Sequence, residues 1–270
     1  MRYSLLQAKI ITANVVAIIQ KEIQGYLVSP LAFVVAAVFW LISGMYFFLL
    51  LFGEGGVLQS VAFQEQLGNT EPVDVVYEFM QIFFNFLASL TMFVLPILSM
   101  GLYAEERKRG TIELLATSPV FNWVVALGKF FGVLLFFVTM IIPILVYEII
   151  IFPSASPPLS LGVPLLAHLG LILFAGSILS LGMFISSLTE STVWAAILTF
   201  VLVLILSILD ALANNIGNDF GELLASFSLM KNYENLVRGV FDTSNLVLFL
   251  SYIILGIFLT CQSLELLRYK

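Results

Sequence analysis

Few residues in this chain could do chemistry, and their distribution limits what that chemistry can be. His168 is the only histidine and Cys261 the only cysteine. A single histidine makes neither a hydrolytic triad nor a metal site, so His168 reads as a packing or hydrogen-bonding residue. Cys261 has no partner for an internal disulfide and reads as a small apolar filler. Gly128-Lys129 is not a phosphate-binding loop: Trp123 stands where the first glycine would be needed, and Phe130 replaces the Ser or Thr that follows the lysine. Glu148 and Asp210 fall near the ends of apolar runs and read as interfacial anchors, since pathway groups belong at mid-depth. The densest polar run is Ala104 to Pro119, Ala-Glu-Glu-Arg-Lys-Arg-Gly-Thr-Ile-Glu-Leu-Leu-Ala-Thr-Ser-Pro. Its chemistry is recognition. Glu105 precedes Arg109 by four residues, the favourable order for a helical ion pair. Gly110 breaks the helix, and Thr111 is placed to cap a second one with Glu113 in its first turn. Ser118-Pro119 ends that second helix. Leu114 and Leu115 put apolar side chains beside the charges, the mark of a surface with a protein partner.

The elements around this run are set by composition. Of 270 residues, 61% are hydrophobic and only 10% charged, against roughly 25% charged in soluble domains. The net charge of −6 and the lack of a basic stripe beyond Arg107 to Arg109 argue against nucleic-acid binding. The pattern predicts an all-α membrane protein with six transmembrane helices, at about 31–52, 79–103, 122–152, 161–188, 192–212 and 246–264. Residues 1–29 carry apolar side chains at near-helical spacing with Lys9, Lys21 and Glu22 between them, which predicts an interfacial helix rather than a secretory signal. Pro96 is expected to kink span 2, and Pro143 lies in the outer half of span 3. Lys129, near the inner end of span 3, is expected to snorkel to the headgroups. Span 4 is rich in Gly and Ser, as close helix packing in lipid requires. Asn214 to Asn245 is too charged for a span and too apolar for a free loop, and reads as short helices in the outer leaflet.

Charge decides orientation. Nine basic residues fall on one side (Arg2, Lys9, Lys21, Arg107, Lys108, Arg109, Lys129, Arg268, Lys270), and only Lys231 and Arg238 on the other. The positive-inside bias puts both termini and the 104–119 run in the cytoplasm.

Two stretches also carry a resemblance. Glu105 to Pro119 resembles the loop after the second span of ABC-2 type permeases, approximately E-x-[R/K]-x-x-G-T-x-E-x-L-x-x-x-P. Phe227 to Asn245 is similar to the segment before the last span in the gliding-protein F and nitrous-oxide-accessory Y branch, and the Ser29-Pro30-Leu-Ala-Phe33 entry fits that branch too. One departure is Asn232, where many relatives have histidine before the aromatic. The resemblance implies one transmembrane domain over 1–270, the permease subunit of an ABC transporter and usually an exporter. It would work as a pair, with a second copy or another permease, and with separate ABC ATP-binding subunits. ATP and Mg would then be bound by the partner subunit and no cofactor by this chain. The setting implied is the bacterial inner membrane. Glu105, Arg107, Arg109, Thr111, Glu113, Leu114 and Leu115 would form the coupling helix that docks in the ATPase, and 1–29 the connecting helix. The competing expectations are a membrane scaffold of an envelope or motility machine and an ion-gradient-driven transporter. The latter would need mid-membrane ionisable sites.

Overall fold

A computed structural model describes residues 2–56, 59, 63, 75–112, 120–151, 162–217 and 219–268. Among these the chain is helical, with no strand. The helices are α1 (Arg2–Val28), α2 (Pro30–Phe52), α3 (Val75–Ser99), α4 (Gly101–Lys108), α5 (Asn122–Ile151), α6 (Gly162–Leu188), α7 (Thr192–Ser207), α8 (Leu209–Ile216), α9 (Asp219–Ser226), α10 (Leu229–Val237) and α11 (Thr243–Arg268). Five stretches are long and apolar enough to cross a membrane: Pro30–Phe52, Val76–Lys108, Asn122–Ile151, Gly162–Leu188 and Thr243–Leu266.

The start of α2 is set locally. Ser29 is its N-cap, accepting from the Ala32 N–H, and Pro30 occupies the first turn, where its missing N–H costs nothing. Pro96 lies inside α3, which runs on to Ser99, and α4 resumes at Gly101 after a turn at Met100. Pro143 is likewise accommodated within the continuous α5.

The fifth expected span differs from its sequence reading. α7 stops at Ser207 after 16 residues, a rise of about 24 Å where the hydrocarbon core is about 30 Å. The Ser228 hydroxyl shares its proton between the Ser207 carbonyl at 3.2 Å and Asp210 Oδ1 at 3.1 Å. It therefore sits at the break between α7 and α8. Asp210, read from the sequence as an interfacial anchor, accepts from Ser228 at the break between α7 and α8.

Between Leu209 and Val237 the described residues form three short helices, α8, α9 and α10. Gly217, at φ +64°, ends α8 in the left-handed conformation that glycine adopts without strain. Asn232, buried at the start of α10, donates through Nδ2 to the carbonyls of Ser226 and Ser228 at 3.0 and 2.7 Å. It closes the α9–α10 corner, a task for an amide donor. Tyr233 anchors this cap to the bundle, its hydroxyl on the Phe84 carbonyl at 2.8 Å and its ring against Phe174.

The centre of the bundle is α6, which packs against α3, α4, α5, α7, α10 and α11. Its small residues make this possible. Ser177 and Ser180 bond to the carbonyls of Phe249 and Tyr252 on α11, and a Cβ on Gly176 would already touch Ile253. The small-residue reading of this span as a packing surface agrees with this geometry.

Candidate functional site: a charged cluster joining three helices

The C-terminal part of α1, the short α4 and the N-terminal part of α5 meet at one lysine. Lys129 lies two turns into α5 and its side chain is only 3% exposed. Its Nζ donates to the Leu102 carbonyl at 2.6 Å and to Glu106 Oε1 at 2.8 Å, lies 3.4 Å from Glu22 Oε1, and sits 4.8 Å above the Tyr103 ring. The expected snorkelling lysine is thus a buried ion-pair centre. Glu22 on α1 and Glu106 on α4 hold it inside because a desolvated ammonium must be paired. Lys21 adds a looser contact, 3.8 Å from Glu106.

Glycine allows the approach. A Cβ on Gly128 or Gly132 would come within 2.6 Å of the side chains of Ile18 or Glu22, so α1 lies close along α5. Lower on α1, the Tyr26 ring stacks on Phe136 and its hydroxyl donates to the Leu98 carbonyl at 2.7 Å. Burial pushes the Tyr26 phenol far above its ordinary value and keeps it a donor.

α4 is tied to α6 as well. Ser186 Oγ donates to the Met100 carbonyl at 2.7 Å and accepts the Tyr103 and Ala104 N–H groups at 3.1 and 3.0 Å. The turn at Met100 leaves those backbone groups without helical partners, and one hydroxyl satisfies all three. Ser186→Ala should therefore cost about 1–3 kcal/mol, the penalty for stranding buried backbone groups. A thermal midpoint equal to wild type would show that the α3–α4 break holds without it. Arg107 Nη1 donates to the Ser187 carbonyl at 2.6 Å, a cation against the C-terminal end of α6.

The end of α4 is a glycine-terminated helix. Gly110 has φ +69°. Its N–H bonds to the Arg107 carbonyl, and the Thr111 N–H to the Glu106 carbonyl, the paired bonds of a Schellman cap. The Thr111 hydroxyl adds a third contact, to the same Glu106 carbonyl at 3.2 Å. Thr111 thus closes the preceding helix. Glu105 and Arg109 form the expected i,i+4 pair at 3.3 Å, both well exposed. Glu113, Leu114 and Leu115 lie outside the described residues.

Of the seven residues singled out in the sequence, Glu105, Arg109 and Thr111 sit together on the exposed end of α4, while Arg107 turns inward to α6. Glu22, Glu106 and Lys129 were missed as a unit. The available signal was Lys129 itself, a lysine inside an apolar run with Gly128 before it and Gly132 one turn after. The partners on α1 and α4 are far away in sequence.

A second ionisable pair lies elsewhere. Glu148 on α5, buried, faces His168 on α6, with Oε1 and Nε2 3.4 Å apart. His168 also contacts the Pro164 carbonyl through Nδ1 at 2.9 Å and packs edge-on against Phe84. The packing reading of His168 agrees with this; the interfacial-anchor reading of Glu148 does not, because burial directs it to another helix. Among the described residues no group of His, Cys, Asp and Glu is arranged to hold a metal ion.

Several long apolar helices around a small-residue centre, with a charged cluster at one end and no catalytic constellation among the described residues, define a multi-pass membrane protein. Residues 16–264 match the family model described as ABC-2 family transporter protein, and the chain belongs to that family. A search of curated proteins finds no match.

Proposed function

We propose that the chain is the permease subunit of an ABC transporter, coupling ATP hydrolysis on a separate subunit to substrate movement, in the direction of export. Family membership supports the permease class. The observation that carries the coupling is the Lys129 cluster. It fastens α1, α4 and α5 to one another, while Ser186 and Arg107 fasten α4 to α6. A push on the exposed end of α4 therefore reaches the central helix of the bundle directly.

In this reading six spans cross the bacterial inner membrane with both termini in the cytoplasm, α7 together with α8 forming the fifth. α1 is the connecting helix, lying in the inner interface. The coupling segment presents Glu105, Arg109, Thr111, Glu113, Leu114 and Leu115 to the ATPase, and Arg107 braces it from behind. ATP and Mg belong to the partner, and a second permease copy or a paired permease completes the transporter. The Ser29-Pro30 cap and the Phe227–Asn245 segment support the gliding-protein F and nitrous-oxide-accessory Y branch. The few polar groups along the spans favour lipid-linked or amphipathic cargo.

Leu114→Asp combined with Leu115→Asp should abolish co-purification of the ATP-binding subunit from native membranes, while the variant still elutes as a folded, monodisperse species. Retention of a stoichiometric ATPase by the double variant would remove the docking assignment. A folded wild-type chain that brings no ATPase with it would turn the reading to the membrane scaffold.

A further inference from the structure

A cleft of about 810 Å³ opens between α1, the first turn of α2 and the α3–α4 corner. One helical face of α1 forms its wall, through Ile18, Glu22 and Gly25, continued by Ser29 at the cap of α2. Its floor is apolar: Leu31, Ala32 and Val35 from α2, with Ile97 and Leu98 from α3. Its lining also carries charge: Lys21, Arg109 and the buried Lys129 against Glu22, Glu105 and Glu106. The floor is built from span ends just inside the Ser29-Pro30 cap. The apolar part therefore falls at the level of the upper acyl chain and the charged part at the level of the headgroups. The volume is within the roughly 300–1,000 Å³ of small-ligand pockets, enough for a headgroup and the first stretch of one chain.

We propose that this cleft is a binding site for a zwitterionic phospholipid carrying a primary amine, phosphatidylethanolamine, held as a resident lipid between the connecting helix and the first two spans. The charge pattern selects the headgroup. Three cations and three carboxylates balance in the lining, so an anionic lipid gains no net attraction, whereas a headgroup with both signs meets both. Lys21 and Arg109 are 70% and 73% exposed and only loosely paired, at 3.8 and 3.3 Å. Each retains N–H groups for a phosphate. Glu106 uses Oε1 on Lys129, but its Oε2 is shielded from solvent and has no hydrogen-bond partner. Such an acceptor calls for a donor. A primary ammonium supplies three, and a quaternary choline supplies none. Gly25 leaves the cleft open: a Cβ there would meet nothing within 4 Å. A glycine in mid-helix costs about 1 kcal/mol relative to alanine, and the space it leaves is on the cleft side of α1. The proposal rests on the chain lying in a bilayer and not on its coupling to an ATPase.

The test is native mass spectrometry of the full chain, delipidated in detergent and titrated separately with phosphatidylethanolamine, phosphatidylcholine and phosphatidylglycerol. The first equivalent of phosphatidylethanolamine should bind about tenfold more tightly than either of the others, the worth of one charge-assisted hydrogen bond. Gly25→Phe, which fills the cleft from an unobstructed position, should remove that preference, as should Gly25→Leu if the larger ring disturbs folding. Lys21→Ala with Arg109→Ala should weaken phosphatidylethanolamine at least severalfold. Equal affinities for the three lipids, a preference for phosphatidylglycerol, or a preference unchanged by Gly25→Phe would overturn the proposal. So would a Gly25→Phe chain that keeps its lipid preference but loses a co-purifying protein, since the cleft would then receive protein. The same spectra show whether an ATP-binding subunit is attached, so failure of the permease reading is seen separately.

Discussion

Lys129→Met should destabilise the folded chain by roughly 3–5 kcal/mol, the cost of leaving buried charge without its partner. The variant keeps the stem of the side chain and removes only the ammonium. Glu106 and Glu22 would then face each other near the buried end of α5, both within 3.4 Å of the lost charge, and the Leu102 carbonyl would lose its 2.6 Å donor. The check is the thermal midpoint of the detergent-solubilised chain followed by size-exclusion chromatography. The triple variant Lys129→Met, Glu22→Gln, Glu106→Gln separates charge from shape. If unpaired charge causes the loss, the triple variant should recover most of the midpoint, because neutral replacement of a whole buried network is often nearly neutral in stability. Recovery of folding without recovery of ATP-dependent transport would show that the cluster serves the transmission of force between α1, α4 and α5. A single variant as stable as wild type would mean that the cluster is hydrated and carries little.

Gly256→Leu should be at least as damaging, for a steric reason. A Cβ at Gly256 would stand 2.6, 2.7 and 2.8 Å from the carbonyl carbon, oxygen and Cβ of Ser180. Most of those atoms are backbone of the central helix, which cannot rotate away, so α11 must move outward. That movement also separates Ser177 and Ser180 from the Phe249 and Tyr252 carbonyls they bond. Overpacking of this kind costs about 1–3 kcal/mol and sometimes more, with the lost hydrogen bonds in addition. The expected result is a large fall in folded yield, visible already for Gly256→Ala, which carries the offending Cβ. Gly25→Ala is the control: its Cβ meets nothing, and it should hold or raise the midpoint by up to about 1 kcal/mol through helix propensity. Equal behaviour of the two alanine variants would show that α6 and α11 are less tightly seated than their hydrogen bonds imply.

These two sites differ in how far the sequence reveals them. The tight packing of α6 was readable from its run of Gly and Ser, because small residues in a lipid-spanning helix have few other uses. The Glu105–Arg109 pair and the Gly110 stop at the end of α4 were likewise readable, because they follow local rules that need no tertiary information. Lys129 was misread because exposure was inferred from its distance along the chain to the end of a span. That inference holds for a helix surrounded by lipid, but not for one with α1 lying across it. Glu148 failed for the same reason: its neighbour is His168 on the next helix, not the bilayer surface. Asp210 and Ser207 are joined by Ser228, whose hydroxyl reaches back across α8 and α9.

The sequence by itself determined the class of molecule, the positions of the five long apolar helices and the glycine stop at Gly110 after α4. Each follows from composition, period or a glycine's backbone freedom, all of which act over a few turns. Only the tertiary structure decided which ionisable groups meet, Lys129 with Glu22 and Glu106 and Glu148 with His168, and that a cleft of about 810 Å³ opens beside α1. The physical reason is that a buried charge is fixed by its partners, and those partners come from helices whose mutual rotation depends on how glycines and serines let their backbones approach.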